Sequence, residues 1–156
     1  MNGSHPRFAL ALAGLALAAA LSLTFALAAP SRAADPDPAD HESAAFVGCH
    51  GAHRVTCVVD GDTFWYLGTK IRIADINAPE LGHPGCPYEA ALAEAATTRL
   101  TDLLNAGPFS LVTEGRETDK YGRALRVVVR NGASLGAVLE DEGLAEHWHG
   151  HRRNWC

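Results

Sequence analysis

Three β-prone runs follow one another between residues 54 and 75, and no other feature restricts the fold as much. RVTCVVD (54–60), TFWYL (63–67) and KIRIAD (70–75) are rich in β-branched and aromatic residues, separated only by Gly61-Asp62 and Gly68-Thr69. Such spacing reads as a three-stranded meander with tight turns. Pro79, Pro84 and Pro87 then rule out regular structure and make a loop. From Tyr88 to Asn105 the apolar positions Tyr88, Ala91, Leu92, Ala95, Leu100, Leu103 and Leu104 keep helical spacing. Pro87 suits the first turn of that helix and Gly107 its end. PFSLVTEG is a fourth strand; ALRVVVR is a fifth, entered through RETDKYGR and closed by Asn131-Gly132. Ser134 can cap a second helix, LGAVLEDEG. The class is mainly β with helices (α+β), in the order β-β-β-α-β-β-α. That is the order expected of an OB-fold, a five-stranded barrel that often binds oligonucleotides or oligosaccharides. Fold alone does not give function.

Residues 1–33 stand outside this pattern. Arg7 precedes the Ala/Leu run FALALAGLALAAALSLTFALAA, and PSRAAD follows it, as in a secretory signal with cleavage after Ala33. The run (8–29) is also long enough to cross a bilayer, so the alternatives are a cleaved signal and a retained anchor. Both export the rest, to the periplasm or outside the cell. Residues 34–45 form a Pro-rich acidic linker with little to bury, and 46–156 form one domain with one core. The chain carries 13 Lys+Arg against 18 Asp+Glu, so no broad basic surface predicts nucleic-acid binding. Phosphate recognition must come from a few placed arginines. Four cysteines in an exported chain read as two disulfides with three possible pairings; local pairing favours Cys49–Cys57 and Cys86–Cys156.

Polar residues then gather where the third run breaks. VVDGDTF sets Asp60 and Asp62 on either side of a glycine, and RIADINAPE brings Arg72, Asn77 and Glu80 around Pro79. A meander returns these to one end of the sheet. Oxygen donors without His or Cys suit Ca²⁺ or Mg²⁺ rather than zinc. TDKYGR adds Arg123, and two arginines beside such a cluster suit a phosphodiester, whose nonbridging oxygens guanidinium forks bind in pairs.

VVDGDTFWYLGTKIRIADINAPE together with TDKYGRAL closely resembles the staphylococcal nuclease (thermonuclease-like) family, over about Val55 to Trp148. The resemblance implies a Ca²⁺-dependent phosphodiesterase on an OB-fold, acting on DNA and RNA. It implies Asp62 as a metal-ligating carboxylate, supported by Asp60, with the backbone carbonyl of Ala78 as a further ligand. It implies Arg72 and Arg123 as phosphate clamp and transition-state stabilisers, Glu80 as the residue that orients the attacking water, and Tyr121 beside the substrate phosphate. Where that family usually has its second metal carboxylate, this chain has Asn77. An amide oxygen can ligate Ca²⁺ without bringing charge, at a loss of roughly tenfold or more in affinity. Another divalent cation could replace Ca²⁺. Asp75 could compensate only if the strand end rearranged.

Two functions follow. One is an exported divalent-metal-dependent nuclease acting on single-stranded DNA or RNA as a monomer. The other is a non-catalytic module of the same fold that binds nucleic acid or anionic oligomers through a weakened metal site. Glu80 favours the enzyme, because a binding module has little use for an anion beside a phosphate. His147, His149 and His151 alternate in EHWHGHRRNWC, but with no thiol partner they read as a solvent-exposed segment, with Trp148 or Trp155 packed down. Phe64, Trp65 and Tyr66 could stack bases, yet alternation sends at least one to the core.

Overall fold

The computed structural model describes residues 40–52 and 54–156. The expected signal or anchor, and the first part of the linker, lie outside the described residues. Strands β1 (Cys57–Asp60), β2 (Thr63–Tyr66) and β3 (Thr69–Ile73) form the expected antiparallel meander. Its second turn is Leu67-Gly68 rather than Gly68-Thr69, because Tyr66 pairs with Thr69. Both loop residues take positive φ, 49° and 81°, the conformation whose twist suits a two-residue hairpin. Thr69 is β-branched and would be more strained there than Leu67.

After β4 (Ile76–Asn77) and the proline loop comes helix α1 (Pro87–Asn105). Strands β5 (Ser110–Val112), β6 (Ala124–Arg130) and β7 (Ala133–Ser134) follow, then helix α2 (Leu135–Asp141) and β8 (Glu146–His147). The main sheet has six strands, running β1-β2-β3-β6-β5 with β7 added to β6, and β3 pairs with β6 in parallel. Its five longer strands are the five expected from sequence. β4, β7 and β8 have two residues each, too short for alternation to show. β4 and β8 pair apart from the main sheet, joining Asn77 to Glu146. Ser134 caps α2 as expected, its side chain accepting from the Ala137 N–H.

The core gathers under the meander. Phe64 and Tyr66 point inward: Phe46 meets the rings of Phe64, Tyr66 and Phe109 at centroid distances of 5.8, 6.0 and 6.1 Å, and Tyr66 meets Phe109 at 5.8 Å. Ile71, Ile73, Leu100, Leu104, Val128 and Leu139 complete it. Each such side chain contributes about 1.5–3 kcal/mol when fully removed from water.

Two expectations change here. The buried face of α1 is Glu89, Ala93, Ala96, Leu100, Leu103 and Leu104, while Tyr88, Ala91 and Ala95 are exposed. Alanines crowd both faces of the first half, so apolar spacing there does not define a phase. The second change concerns the linker. Glu42 and Phe109 exchange both backbone hydrogen bonds, at 2.9 Å each. Asp40 accepts from Ser110 Oγ and from the Asn131 N–H, both at 2.7 Å, and these bonds hold its carboxyl below the usual range. Residues 40–45 are therefore tied to the domain; their polar side chains serve its edge, which composition alone cannot reveal.

The disulfides are Cys49–Cys57 and Cys86–Cys156, and no free cysteine remains among the described residues. They close sequence separations of 8 and 70 residues. Loop-closure entropy then assigns about 2.5 kcal/mol to the first and about 4 kcal/mol to the second. Cys86→Ser/Cys156→Ser should accordingly lower the Tm more than Cys49→Ser/Cys57→Ser. Equal shifts would mean that native contacts, rather than loop entropy, set the stabilisation.

Candidate active site

The β1–β2 turn is pressed into the molecule at Gly61. A Cβ there would meet the Ala96 Cβ at 2.6 Å and the Ala78 Cβ at 2.8 Å, so only glycine permits the approach. That approach brings Asp62 against the NAPE corner. Asp62 Oδ2 accepts from the Ala78 N–H at 2.8 Å and pairs with Arg72 Nη2 at 3.0 Å; Oδ1 accepts from Thr63 Oγ at 2.9 Å. Register explains the partner, since Arg72 lies opposite Thr63 on β3. Both side chains of the ion pair are only 9% exposed. Arg72 Nη1 donates to the carbonyls of Ile73 and Ile76, the latter at 2.8 Å, and so ties the β3–β4 corner together.

Asp60 sits behind this pair and accepts from the Asp62 N–H at 3.2 Å. Burial, followed by the negative charge of Asp62 and a smaller effect of Glu80, pushes its carboxyl up to about 7. Three acids thus share one field. Asn77 is buried and donates its Nδ2 to Glu146 Oε1 at 3.3 Å, which leaves Oδ1 as its lone-pair donor. Asp75 is turned elsewhere: its Oδ2 accepts from Ser134 Oγ at 2.6 Å, beside Gly136. The rearrangement that would let Asp75 compensate for Asn77 is not present.

Glu80 is held from two sides. Its N–H donates to Glu89 Oε1 at 3.3 Å, and its carboxylate pairs with Arg152. Glu89 also accepts from the Gly85 N–H at 2.6 Å. Sequence reasoning missed both residues. An acid at the third helical position after a proline is a recognisable reach-back signal for Glu89. Arg152 has no local signal, because its partner lies far back in the chain.

Arg123 arrives through a turn organised by Asp119. Asp119 Oδ1 accepts from the Tyr121 and Arg123 N–H groups at 2.9 and 3.0 Å, and Oδ2 accepts from Arg123 Nε at 2.6 Å. Burial works against the Asp119 carboxylate, but these bonds outweigh it and lower its pKa. The Arg123 guanidinium lies 5.6 Å from the centre of the Tyr121 ring, and its Nη groups have no hydrogen-bond partner among the described residues. Arg72, Tyr121, Arg123, Trp148 and Arg152 line one open cavity of about 760 Å³. The two expected clamp arginines therefore differ: Arg72 is committed to protein acceptors, and Arg123 keeps an open fork.

For Ca²⁺ the donors are a mixed set. Among the described residues no group of three or more His, Cys, Asp or Glu could hold a metal by itself. Asp62, the Asn77 Oδ1 and the Ala78 carbonyl are hard oxygen donors of the kind that suits the ion, with Asp62 their one carboxylate and Arg72 already against it. The residues fit the ion. His147, His149 and His151 are exposed, His147 pairing with Glu140 at 3.2 Å, and Trp155 is buried, as expected of a solvent-exposed segment with a tryptophan packed down.

A family model described as "Staphylococcal nuclease homologue" matches residues 70–154, more than half of the chain. The match includes Arg72, Asn77, Glu80 and Arg123, and begins after Asp60 and Asp62. Endonuclease YncB of Bacillus subtilis (strain 168) is 37% identical over 95 residues, covering 56% of this chain and 43% of its own length. The SPbeta prophage-derived endonuclease YokF of the same strain is 38% identical over 95 residues, covering 56% and 31%. Micrococcal nuclease of Shigella flexneri is 34% identical over 104 residues, covering 58% and 55%. The chain thus spans between 31% and 55% of the length of these curated relatives.

Proposed function

This chain belongs to the staphylococcal nuclease homologue family, and from that premise we propose that it is an exported, divalent-metal-dependent nuclease hydrolysing phosphodiester bonds of DNA or RNA. The observation that carries the proposal is the open Arg123 fork facing the same cavity as Arg72, whose far side is bonded to Asp62. Two disulfides support export, since such bonds persist in oxidising compartments.

Arg123 binds the nonbridging oxygens of the scissile phosphate, and its charge counts most as negative charge grows on them. Arg72 lends positive charge from the cavity wall while fixing Asp62. Glu80 orients the attacking water and accepts its proton, and Glu89 holds the Glu80 backbone for that task. Tyr121 stands beside the phosphate. Asp62, the Asn77 Oδ1 and the Ala78 carbonyl would hold Ca²⁺, which when bound adds charge stabilisation at the phosphoryl oxygens. Asp60 supports Asp62 through its backbone bond.

Hydrolysis of single-stranded DNA by the purified protein, in Ca²⁺ and in chelator, tests this directly. Turnover that persists in chelator removes the metal from the proposal. Absence of turnover in both, with binding retained, establishes the non-catalytic module instead. The position 77 amide gives a finer test. Asn77→Asp should lower the half-saturating Ca²⁺ concentration about tenfold, read by activity at limiting metal and by calorimetry. An unchanged Ca²⁺ dependence would make Asn77 only a strand residue paired with Glu146.

A further inference from the structure

We infer that Arg152 is an additional phosphate-binding residue, carried to the cavity by the segment 148–156 and resting on Glu80 until a nucleic-acid strand replaces that partner. The inference rests on the nuclease reading and extends it to the strand beyond the scissile phosphate. Three attachments fix the segment around Arg152. The Trp148 N–H donates to the Asp75 carbonyl at 2.7 Å, with the Trp148 ring 5.8 Å from the Arg72 guanidinium. Trp155 is buried, with Arg153 over its ring at 4.8 Å. Cys156 is bonded to Cys86 at the start of α1. A long flexible side chain is thereby delivered to a defined place.

That place adjoins Arg123. Arg152 lines the main cavity, and with Lys70, Tyr121 and Arg123 it also lines a second recess of about 300 Å³. Three cations around a recess next to the scissile phosphate suit a neighbouring phosphate of the same strand. The Glu80 pair does not prevent this. Its side chains are 58% and 40% exposed, and an ion pair so open to water contributes little. A phosphate that takes two guanidinium N–H bonds is a stronger partner. Exchange also releases the Glu80 carboxylate toward water.

Anisotropy of a labelled, phosphorothioate-linked single-stranded oligonucleotide, with Ca²⁺ present and KCl varied, reads binding without turnover. Arg152→Ala should weaken binding several-fold at low salt and make the log–log salt slope shallower by about 0.7, the value of one single-strand phosphate contact. Arg152→Lys should keep the slope. Cys86→Ser/Cys156→Ser, checked for folding by circular dichroism, should move in the direction of Arg152→Ala. Unchanged affinity and slope in Arg152→Ala, with wild type binding normally, overturns this inference alone. Tighter binding by Arg152→Ala overturns it as well, since Arg152 would then be an obstructing strap. Failure of wild type to bind overturns the nucleic-acid reading and this inference with it.

Discussion

Arg123→Ala should reduce kcat on single-stranded DNA by about a hundredfold or more, with a smaller change in KM. Removing one preorganised donor from a developing oxyanion typically costs about 2.7–4 kcal/mol of barrier. Arg123 is the guanidinium in a position to supply such donors, because its Nε is used on Asp119 and its Nη groups are not hydrogen-bonded among the described residues. Arg123→Lys should recover little, since a single ammonium cannot bind two oxygens in a fixed fork. The fold should survive. Asp119 keeps its bonds from the Tyr121 and Arg123 N–H groups, which belong to the backbone, so the turn survives the truncation. A small fall in Tm, from the lost Nε bond to Asp119, beside a large loss of kcat is the expected pair of results. A loss confined to KM would assign Arg123 to uniform substrate binding and favour the binding module.

The contrast between Arg123 and Arg72 marks the limit of what sequence could disclose. Both arginines stood out in the sequence as candidate phosphate ligands, because each lies in a motif that resembles the family's. Their different commitments did not, since these depend on register and on a corner closed by long-range contacts. Thr63 opposite Arg72 decides that Arg72 meets Asp62. The order of longer strands was readable from β-branched runs and turn residues, and both cysteine pairs from their spacing. The phase of α1 was not, because alanine is compatible with either face; the close approach of Gly61 to Ala96 selects it. Glu146 beside Asn77, and Arg152 beside Glu80, join residues 69 and 72 positions apart. No local pattern encodes such a pair. Position 77 shows the same division. Its amide was plain in the sequence, while the use of that amide on β8 needed the short strand pairing that two residues cannot announce.

Arg72→Ala should unfold the site and much of the protein's stability with it, by about 3–5 kcal/mol in chemical denaturation. The pair it breaks is nearly buried on both sides, so Asp62 would lose its cation where little water can replace it. The same substitution strips a donor from the Ile73 and Ile76 carbonyls at the β3–β4 corner. Asp62→Ala should cost less. It removes the anion, and Arg72 retains both carbonyl partners; the Ala78 N–H and Thr63 Oγ lose an acceptor. The double variant should therefore be more stable than the sum of the single losses predicts, with a coupling on the order of 2 kcal/mol, within the range for residues in one hydrogen-bonded network. Arg72→Lys is the control for charge alone. It should restore part of the stability and little hydrolysis, because one ammonium cannot meet Asp62 and two carbonyls in the geometry of a planar fork. Additive losses in the cycle would show that Arg72 and Asp62 act separately. The buried ion pair would then not be what holds the Asp62 carboxylate against the Ala78 N–H, and the role assigned to Arg72 would pass to its contacts with the corner.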